Sequence, residues 1–548
     1  MHSERCRSPR AGASPAAQFL AAAFSVLLLV LAPACASDRP GAEDQGRKAP
    51  AQRDESLNED RWYVLQLQDR PSGHMHVLTR EADGVVTSQT HMVMKIRRGG
   101  AVVEIEVNSD SSEKTTGASA AERELKISSS MRLGAQPVTT RYTFKADGVE
   151  VQTINGDQTT TETVANPEGD WLTPLQAERE VAHRLKEGRT TITVRTIDPS
   201  MALRPLTYTR TIVDRTRIEL LGKQVSAVKW RSTIDAMPGL ETTEYVDDEG
   251  RMLRTEVQLG GMTFDVIAAD KQLALAKVSP QEIMASTLVE IPEPIPQART
   301  AKSGTYRLSI PRGTMPDLPT TGVQASEPVG SDGRAVLVHV DLDQPRDAPR
   351  ADVDNAAFRG TSSMVNFEDP AIKAMAREAL GDSPPRDPRE RAERLRRFVY
   401  RALEDKNLDV GFASASEVAR TKSGDCSEHA VILCALLRTA DVPARVVSGL
   451  VYVDGFANKQ QIFGYHMWAQ ALVPARGEPN DPARARRFVW LDLDPAIDEH
   501  ESFDATHIAL SMSSLADGET INSMVSLVPL LGQLKIEVVK DAPAEKAK

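Results

Sequence analysis

Residues 423–430 are Ser-Gly-Asp-Cys-Ser-Glu-His-Ala, and this stretch predicts the start of a helix that carries a reactive cysteine. Gly424 suits a turn, Asp425 suits the N-cap, and Glu428 can return a hydrogen bond to the cap as in a capping box. Cys426 is then the first residue of the helix, where free N–H groups and the helix dipole favour a thiolate over a thiol. The same N–H groups can stabilise an oxyanion, so this position suits a nucleophile.

A second cysteine lies in the same predicted helix. Cys434 is eight residues after Cys426, about 12 Å along the helix axis, which is too far for a disulfide between them. A cysteine taken alone is more often an inert buried residue, and Cys434 fits that description because it is remote from the helix end. The apolar side chains after Cys426 follow helical spacing up to Pro443, and they predict one buried face made of Ala430, Leu433, Leu437 and Ala440.

The residues around this helix predict an α+β domain. Asp369-Pro370 and Asp387-Pro388 each suit the start of a helix, since proline is favoured in a first helical turn. Alternating apolar residues then predict strands at 444–453, 464–473 and 488–494. The last two strands are separated by a polar connection and are expected to be antiparallel neighbours.

His466 and Asp494 lie on these two neighbouring strands and can complete a catalytic site with Cys426. His466 would remove the thiol proton and later deliver it to the leaving group, while a carboxylate orients the imidazole and selects its tautomer. Asp492 shares a strand face with Asp494 and is the competing carboxylate. The Asp-Pro step at 494–495 favours Asp494.

Four motifs follow one another along the chain: Gly424-Asp425-Cys426, Arg445–Gly449, His466-Met467-Trp468 and Trp490–Pro495. In this order they resemble the core of the transglutaminase-like superfamily. The resemblance implies a papain-like fold in which Cys426 is the nucleophile, His466 the base and Asp494 the orienting carboxylate. A Trp or Gln that often serves that family as a second oxyanion donor has no counterpart here, so the backbone, Tyr400 or Asn407 is left for that role. The segment Asp504–Ile508, which follows these motifs, is similar to a segment of bacterial members of the superfamily.

Other polar residues near the motifs are expected to have structural roles. His429 is expected to be a partly exposed helix residue, and Arg445 is expected to form an ion pair. We expect no cofactor and no metal, because zinc-type ligand spacing is missing around His74, His76, His500 and His507, and calcium-loop spacing is missing at Asp352–Asn355.

The length and charge of the chain limit its organisation and its partners. Its 548 residues predict two to four domains, and a net charge of −11 without long Lys/Arg runs argues against a nucleic acid partner. Short alternating runs and frequent turn signals predict strands before residue 290. We therefore expect a flexible tether at 37–60, a large antiparallel β-rich domain at 61–290 with a helix around Pro174–Lys186, a Pro-rich linker with short strands at 291–354, the α+β catalytic domain at 355–530 and a tail at 531–548.

Residues 1–36 are predicted to be an export signal. Three arginines precede an apolar run, Phe19–Leu31, that is too short to span a bilayer comfortably. Ala34-Cys35-Ala36 fits a cleavage site, whereas Ala32–Cys35 resembles a bacterial lipobox in which Cys35 is lipidated. A lipoprotein, a secreted protein and an uncleaved anchor all remain open, and the expected location is the periplasm or cell envelope.

The resemblance implies attack of the Cys426 thiolate on a glutamine or peptide amide through a thioacyl intermediate. An amine acceptor would give acyl transfer and water would give hydrolysis, and the sequence leaves both open. The expected substrate is a protein or peptide, and the oligomeric state is not predicted. The alternatives are a cysteine peptidase or amidase of the cell envelope, and a non-catalytic binding module, against which the complete set of three residues argues.

Overall fold

The computed structural model describes residues 58–539 apart from 99–100, 133–136, 157, 199–202, 236–239, 249, 260, 404–412, 457, 477–486, 499–502 and 517–526. The predicted export signal with Cys35, the tether up to residue 57, Asn407 and His500 lie outside the described residues. The described residues divide into two compact units, 58–96 with 104–281 and 97–103 with 282–539. No helix among them is long and apolar enough to cross a bilayer.

The first unit is built mainly on one antiparallel sheet. Its strands are β1 Glu59–Leu67, β2 Arg70–Ala82, β3 Val85–Arg98, β4 Ala101–Lys114, β5 Lys126–Arg132, β6 Val138–Lys145, β7 Gly148–Asn155, β8 Gln158–Val164, β9 Thr191–Thr196, β10 Leu206–Leu220, β11 Lys223–Ile234, β12 Glu241–Val246, β13 Met252–Leu259 and β14 Met262–Ala269. Each strand pairs with the next along the chain within β1–β8 and within β9–β14, and β1 joins the two runs by pairing with β14. The predicted antiparallel β-rich region is therefore present.

A helix fills the connection between the two runs of strands. It covers Pro174–Lys186, as predicted, and begins at a capping box in which Thr173 and Gln176 exchange hydrogen bonds. Its apolar face packs against β9. A short helix at Lys271–Ala274 follows β14, and the two-residue strand β15 Gln281–Glu282 then pairs with β3. A buried hydrophobic cluster lies along β5, β6 and β7 and consists of Leu125, Ile127, Tyr142, Phe144, Val149 and Ile197.

The second unit contains two smaller antiparallel sheets and the remaining helices. Its strands are β16 Val289–Glu290, β17 Ser303–Ser309, β18 Gln324–Val329, β19 Ala335–Asp341, β20 Ala444–Phe456, β21 Lys459–Pro474, β22 Phe488–Leu493, β23 Ile508–Ser513 and β24 Lys535–Val538. The larger sheet has the order β16-β21-β20-β23, with β22 also paired to β21. Its helices are Met284–Thr287, Arg350–Val353, Pro370–Leu380, Pro388–Ala402, Ala415–Thr421 and Cys426–Thr439, with 3₁₀ turns at Ala298–Thr300, Ala356–Phe358 and Val528–Leu530.

Three segments at the expected domain boundaries contribute to the sheets of the second unit. Residues 282–290 belong to the second unit, because Val289 pairs with Phe463 of β21. The expected linker supplies β17, β18 and β19 to a sheet of order β18-β19-β17-β24. The described part of the expected tail contains β24, Lys535–Val538, which pairs with β17 and completes that sheet.

The helix Cys426–Thr439 is the centre of the second unit. It packs on one side against β20 and β21 and on the other against the helices Pro370–Leu380, Pro388–Ala402 and Ala415–Thr421. Every residue from Cys426 to Arg438 is consequently buried. The expectation of a single buried face is wrong, since the apolar spacing identifies the most apolar side but does not show that other helices cover the opposite side.

Arg445 on β20 forms the structural ion pair expected for it. Its Nη1 lies 3.2 Å from Asp352 Oδ2, Nε donates to Gln470 Oε1 at 2.9 Å, and Nη2 donates to Thr321 Oγ1 at 2.6 Å. The guanidinium stacks 3.8 Å from the centre of the Trp490 ring. Because the guanidinium is buried and joins β20 to three other segments, its loss would leave several polar groups without a partner.

We predict that Arg445→Ala lowers the free energy of unfolding by about 3 kcal/mol, because it breaks a buried ion pair and its hydrogen bonds. Urea unfolding measures the change. The control is Arg397→Ala, which removes an exposed guanidinium that pairs with Glu393, and should change stability by less than about 0.5 kcal/mol. Equal effects of the two substitutions would contradict the structural role of Arg445.

Candidate active site

Cys426 lies at the start of its helix, as the sequence predicts. Asp425 is the N-cap, and its carboxylate accepts hydrogen bonds from the backbone N–H of Ser427 at 2.8 Å and from the Ser427 hydroxyl at 2.7 Å. The Cys426 side chain is buried. The first turn of the helix is therefore held by its own cap, with the thiol directed into the unit rather than onto its surface.

Glu428 completes the capping box and also binds the preceding chain. Its Oε2 accepts from the backbone N–H of Asp425 at 2.9 Å, and its Oε1 accepts from that of Ala413 at 2.9 Å. Burial and the nearby charge of Asp425 raise the pKa of Glu428 well above its usual range. Gly424 has φ +142°, and a Cβ at this position would lie 2.3 Å from Glu428 Cγ. Glycine is therefore required in the turn that precedes the helix of Cys426.

His466 and Asp494 form a buried hydrogen-bonded pair. His466 Nε2 donates to Asp494 Oδ2 at 2.6 Å. The other ring nitrogen, Nδ1, is buried and makes no hydrogen bond within the described part of the chain. Since a carboxylate oxygen only accepts, the proton of neutral His466 lies on Nε2, which leaves the Nδ1 lone pair available as a base.

The strand register explains how these two residues meet. Gln470 lies opposite Asp492 and Ala469 lies opposite Leu493 in the β21–β22 pair. Asp494 is the first residue after β22, which places its carboxylate within hydrogen-bonding distance of His466 on β21. The helix that begins at Cys426 packs on β21, the strand that carries His466.

Asp492 is held by a different set of partners. Its Oδ1 accepts hydrogen bonds from the Trp468 indole N–H at 2.9 Å and from the Gln470 side chain at 2.7 Å. Burial raises the pKa of Asp492, and these two hydrogen bonds oppose that rise. Of the two carboxylates on this strand, Asp494 is therefore the one paired with His466.

Asp494 accepts hydrogen bonds through both carboxylate oxygens and through its backbone oxygen. Its Oδ1 accepts from the backbone N–H of Ala496 at 2.8 Å, and its backbone oxygen accepts from Arg396 Nη1 at 3.3 Å. Burial alone would raise the pKa of Asp494, but the charge and hydrogen bond of His466 and the hydrogen bond of His507 hold the pKa well below its usual range. Asp494 is thus an ionised carboxylate inside the protein.

His507 is a residue of this site for which the sequence predicts no role. Its Nε2 lies 3.2 Å from Asp494 Oδ2, the same oxygen that accepts from His466. Burial alone would lower the pKa of His507, but Asp504 and Asp494 outweigh it and raise the pKa to about 9. The one sequence signal was the similarity of Asp504–Ile508 to bacterial relatives, which assigns no chemistry to the histidine.

The remaining candidates lie apart from the His466–Asp494 pair or serve the fold. His429 is buried rather than partly exposed, and its Nδ1 donates to the backbone oxygen of Asp425 at 2.6 Å. The Tyr400 hydroxyl lies 3.3 Å from Asp498 Oδ2. Cys434 is buried deeper in the helix, where burial raises the pKa of its thiol.

The nitrogen and oxygen atoms of His466, Asp494 and His507 lie within 4.8 Å of one another. In this group both imidazole Nε2 atoms are directed at one carboxylate oxygen at hydrogen-bonding distance. The contacts among them are therefore those of donors around a shared acceptor. Their exposed fractions are 2%, 0% and 1%.

Comparison with known proteins identifies a domain within the second unit. Residues 373–495, which include Cys426, His466 and Asp494, match the transglutaminase-like superfamily. No curated protein matches the chain.

Among solved structures, the chain is similar to three proteins at low identity. A β-barrel-like protein with a domain of unknown function from Brucella abortus has 12% identity and a TM-score of 0.30, over 38% of this chain and 95% of its own. A candidate cysteine protease from Cytophaga hutchinsonii has 12% identity and a TM-score of 0.24, over 44% and 84%. A candidate protease from Parabacteroides distasonis has 11% identity and a TM-score of 0.16, over 64% and 62%.

The raised pKa of His507 predicts a pH dependence of stability. The folded value of about 9 exceeds the ordinary value of 6.5, so the stabilisation is complete below pH 6.5 and is lost as the pH rises to 9. We expect the free energy of unfolding to fall by up to about 3 kcal/mol over that interval. Urea unfolding at pH 6, 7.5 and 9 measures the fall, and His507→Gln should reduce it. Parallel curves for the two proteins would contradict this assignment.

Proposed function

Because residues 373–495 form a transglutaminase-like domain, we propose that the protein is a cysteine-dependent acyltransferase or hydrolase. Cys426 is its nucleophile, His466 its base and Asp494 the carboxylate that orients the base. The hydrogen bond of 2.6 Å between His466 and Asp494 is the observation that carries this proposal. It leaves the second ring nitrogen, Nδ1, to take the thiol proton.

The arrangement of secondary structure supports a papain-like core for this domain. A nucleophilic cysteine begins a central helix, and that helix packs on an antiparallel sheet that carries the histidine and the carboxylate. The helix N-terminus supplies N–H groups and positive potential at the thiol, which favour both the thiolate and a developing oxyanion. The backbone N–H of Cys426 is the proposed first oxyanion donor.

The proposed reaction has two stages. The Cys426 thiolate attacks the carbonyl carbon of a glutamine or peptide amide, a C–S bond forms, and the carbonyl oxygen becomes an oxyanion. Protonated His466 gives its proton to the leaving nitrogen as the C–N bond breaks, which leaves a thioacyl enzyme. An amine or water then attacks the thioacyl carbon, His466 accepts the proton of that nucleophile, and the thiolate leaves.

The substrate and the location are proposals that depend on the sequence. A protein or peptide of the cell envelope fits an exported enzyme of this class, because the predicted export signal precedes the domain. Cys35 is a possible site of a lipid anchor. The alternative of a cysteine peptidase or amidase differs only in using water in the second stage.

We predict that iodoacetamide at pH 6 alkylates Cys426 about tenfold faster than it alkylates the model thiol N-acetylcysteine. At this pH an ion-paired thiolate persists, whereas a free thiol is almost fully protonated. Mass spectrometry of the Cys426 peptide in the full chain gives the rate. Cys434 is an internal control, since it is buried in the same helix away from the N-terminus and should stay unlabelled in the native protein.

Incubation with biotinylated pentylamine and casein then separates the two reactions. Amine incorporation indicates transfer, whereas ammonia release or peptide cleavage without incorporation indicates hydrolysis. Cys426→Ala should abolish all three. A Cys426 that reacts no faster than the free thiol, together with assays unchanged by Cys426→Ala, would leave a non-catalytic module as the remaining explanation.

The two carboxylates on β22 and its extension provide a matched pair of variants. Asp494→Asn should slow alkylation of Cys426 at pH 6 by at least about tenfold, because an amide no longer stabilises the imidazolium and permits the wrong tautomer. Asp492→Asn should have a much smaller effect, since its carbonyl oxygen can still accept from Trp468 and Gln470. The same assay measures both, and a larger effect at Asp492 would reverse the assignment.

A further inference from the structure

The segment that carries His507 is fixed in place by distant parts of the second unit. The backbone N–H of Ala505 donates to the backbone oxygen of Ala301 at 2.8 Å. The backbone oxygen of Ala505 accepts from the Tyr306 hydroxyl at 2.9 Å. Asp504 Oδ1 accepts from the backbone N–H of Thr506 at 2.8 Å. His507 is therefore held by a rigid turn rather than by a loose loop.

Arg299 extends this arrangement away from the site. Its Nη1 lies 3.0 Å from Asp504 Oδ2, and its Nη2 donates to Thr506 Oγ1 at 3.0 Å and to Tyr452 O at 2.6 Å. A continuous series of alternating charges therefore runs from the guanidinium through Asp504, His507 and Asp494 to His466. Aromatic rings enclose the centre of the series, since Phe503 lies 4.2 Å and Trp468 5.4 Å from the His507 ring, measured between ring centres.

The acceptors around His507 determine its protonation state. Nδ1 lies 3.1 Å from Asp504 O and 3.4 Å from Asp504 Oδ1, while Nε2 lies 3.2 Å from Asp494 Oδ2. Each of these partners is an oxygen that only accepts, so both ring nitrogens must carry a proton for both contacts to be favourable. A neutral histidine could satisfy one side only. The raised pKa of His507 agrees with this geometry.

We propose that His507 is a positioning residue that is cationic at neutral pH, which fixes the Asp494 carboxylate and limits how tightly His466 holds its proton. The proposal rests on the proposed function of Cys426, His466 and Asp494. It adds a fourth side chain to that site, together with Asp504, which helps to keep that side chain charged, and Arg299, which pairs with Asp504.

Two electrostatic effects of His507 act on His466 in the same direction. The cation shares the Asp494 oxygen and so weakens the attraction between that carboxylate and the His466 imidazolium. It also repels the imidazolium directly, since the two rings lie 5.9 Å apart between centres. The other charged groups near His507 are Asp504 and Asp492, with Arg299 behind Asp504. A proton on His466 is consequently easier to deliver to a leaving nitrogen.

The test is the pH profile of Cys426 alkylation by iodoacetate in the full chain. This reagent is negatively charged, so its rate rises as the thiolate–imidazolium pair forms and falls as the imidazolium loses its proton. His507→Gln keeps an N–H donor for Asp494 but removes the charge. We expect the descending limb to move to higher pH by about one unit, and Asp504→Asn to move it in the same direction.

The outcomes separate this inference from the proposed function. A wild-type protein without rapid alkylation at low pH would overturn the proposed function itself. Rapid alkylation in the wild type, with a descending limb that does not move in His507→Gln, would overturn the role of His507 alone. A merely structural residue would lower the rate at every pH and leave the inflection in place.

A measurement on the wild-type sequence covers the case in which the variants do not fold. In the chain labelled with ¹⁵N-histidine, after alkylation of Cys426 has removed the thiolate partner of His466, we expect one histidine whose two ring nitrogens remain protonated at pH 8. A spectrum in which every histidine is neutral at pH 8 would overturn the proposal.

Discussion

The ionised carboxylate of Asp494 is the feature on which the rest of the site depends. A buried charge costs several kcal/mol unless it is paired and hydrogen-bonded. Here one oxygen accepts from two imidazoles, the other accepts from the backbone of Ala496, and Arg396 holds the backbone oxygen. The orientation of His466, the charge on His507 and the packing of the following segment all serve to keep this carboxylate satisfied inside the protein.

Asp492 shows how strongly the surroundings decide what a carboxylate does. It lies two residues from Asp494 and is buried, yet its partners are the neutral donors Trp468 and Gln470. Burial raises its pKa, whereas the imidazoles lower that of Asp494. Gln470 in turn accepts from Arg445, so Asp492 belongs to the network that joins β20, β21 and β22. One strand and its extension thus supply two buried carboxylates with different partners, one in the structural network and one in the candidate site.

Local features of the site could be predicted because local interactions produce them. The capping box links Asp425 to Glu428 within three residues, and it is present as predicted. The Asp-Pro pairs at 369 and 387 begin helices for the same reason. Burial of the Cys426 helix on all sides, and with it the burial of His429, was not predictable, because it depends on helices and strands that are distant in sequence.

The sequence by itself determined where the helix of Cys426 begins, and it predicted that His466 and Asp494 meet across paired strands. Both follow from short-range periodicity and turn chemistry. The tertiary structure alone decided that Asp492 pairs with Trp468 and Gln470, and that His507 joins Asp494. It also brought Arg299 to Thr506, 207 residues away along the chain. Charge states inside a protein depend on the whole set of neighbours, and no sequence motif specifies neighbours separated by such distances.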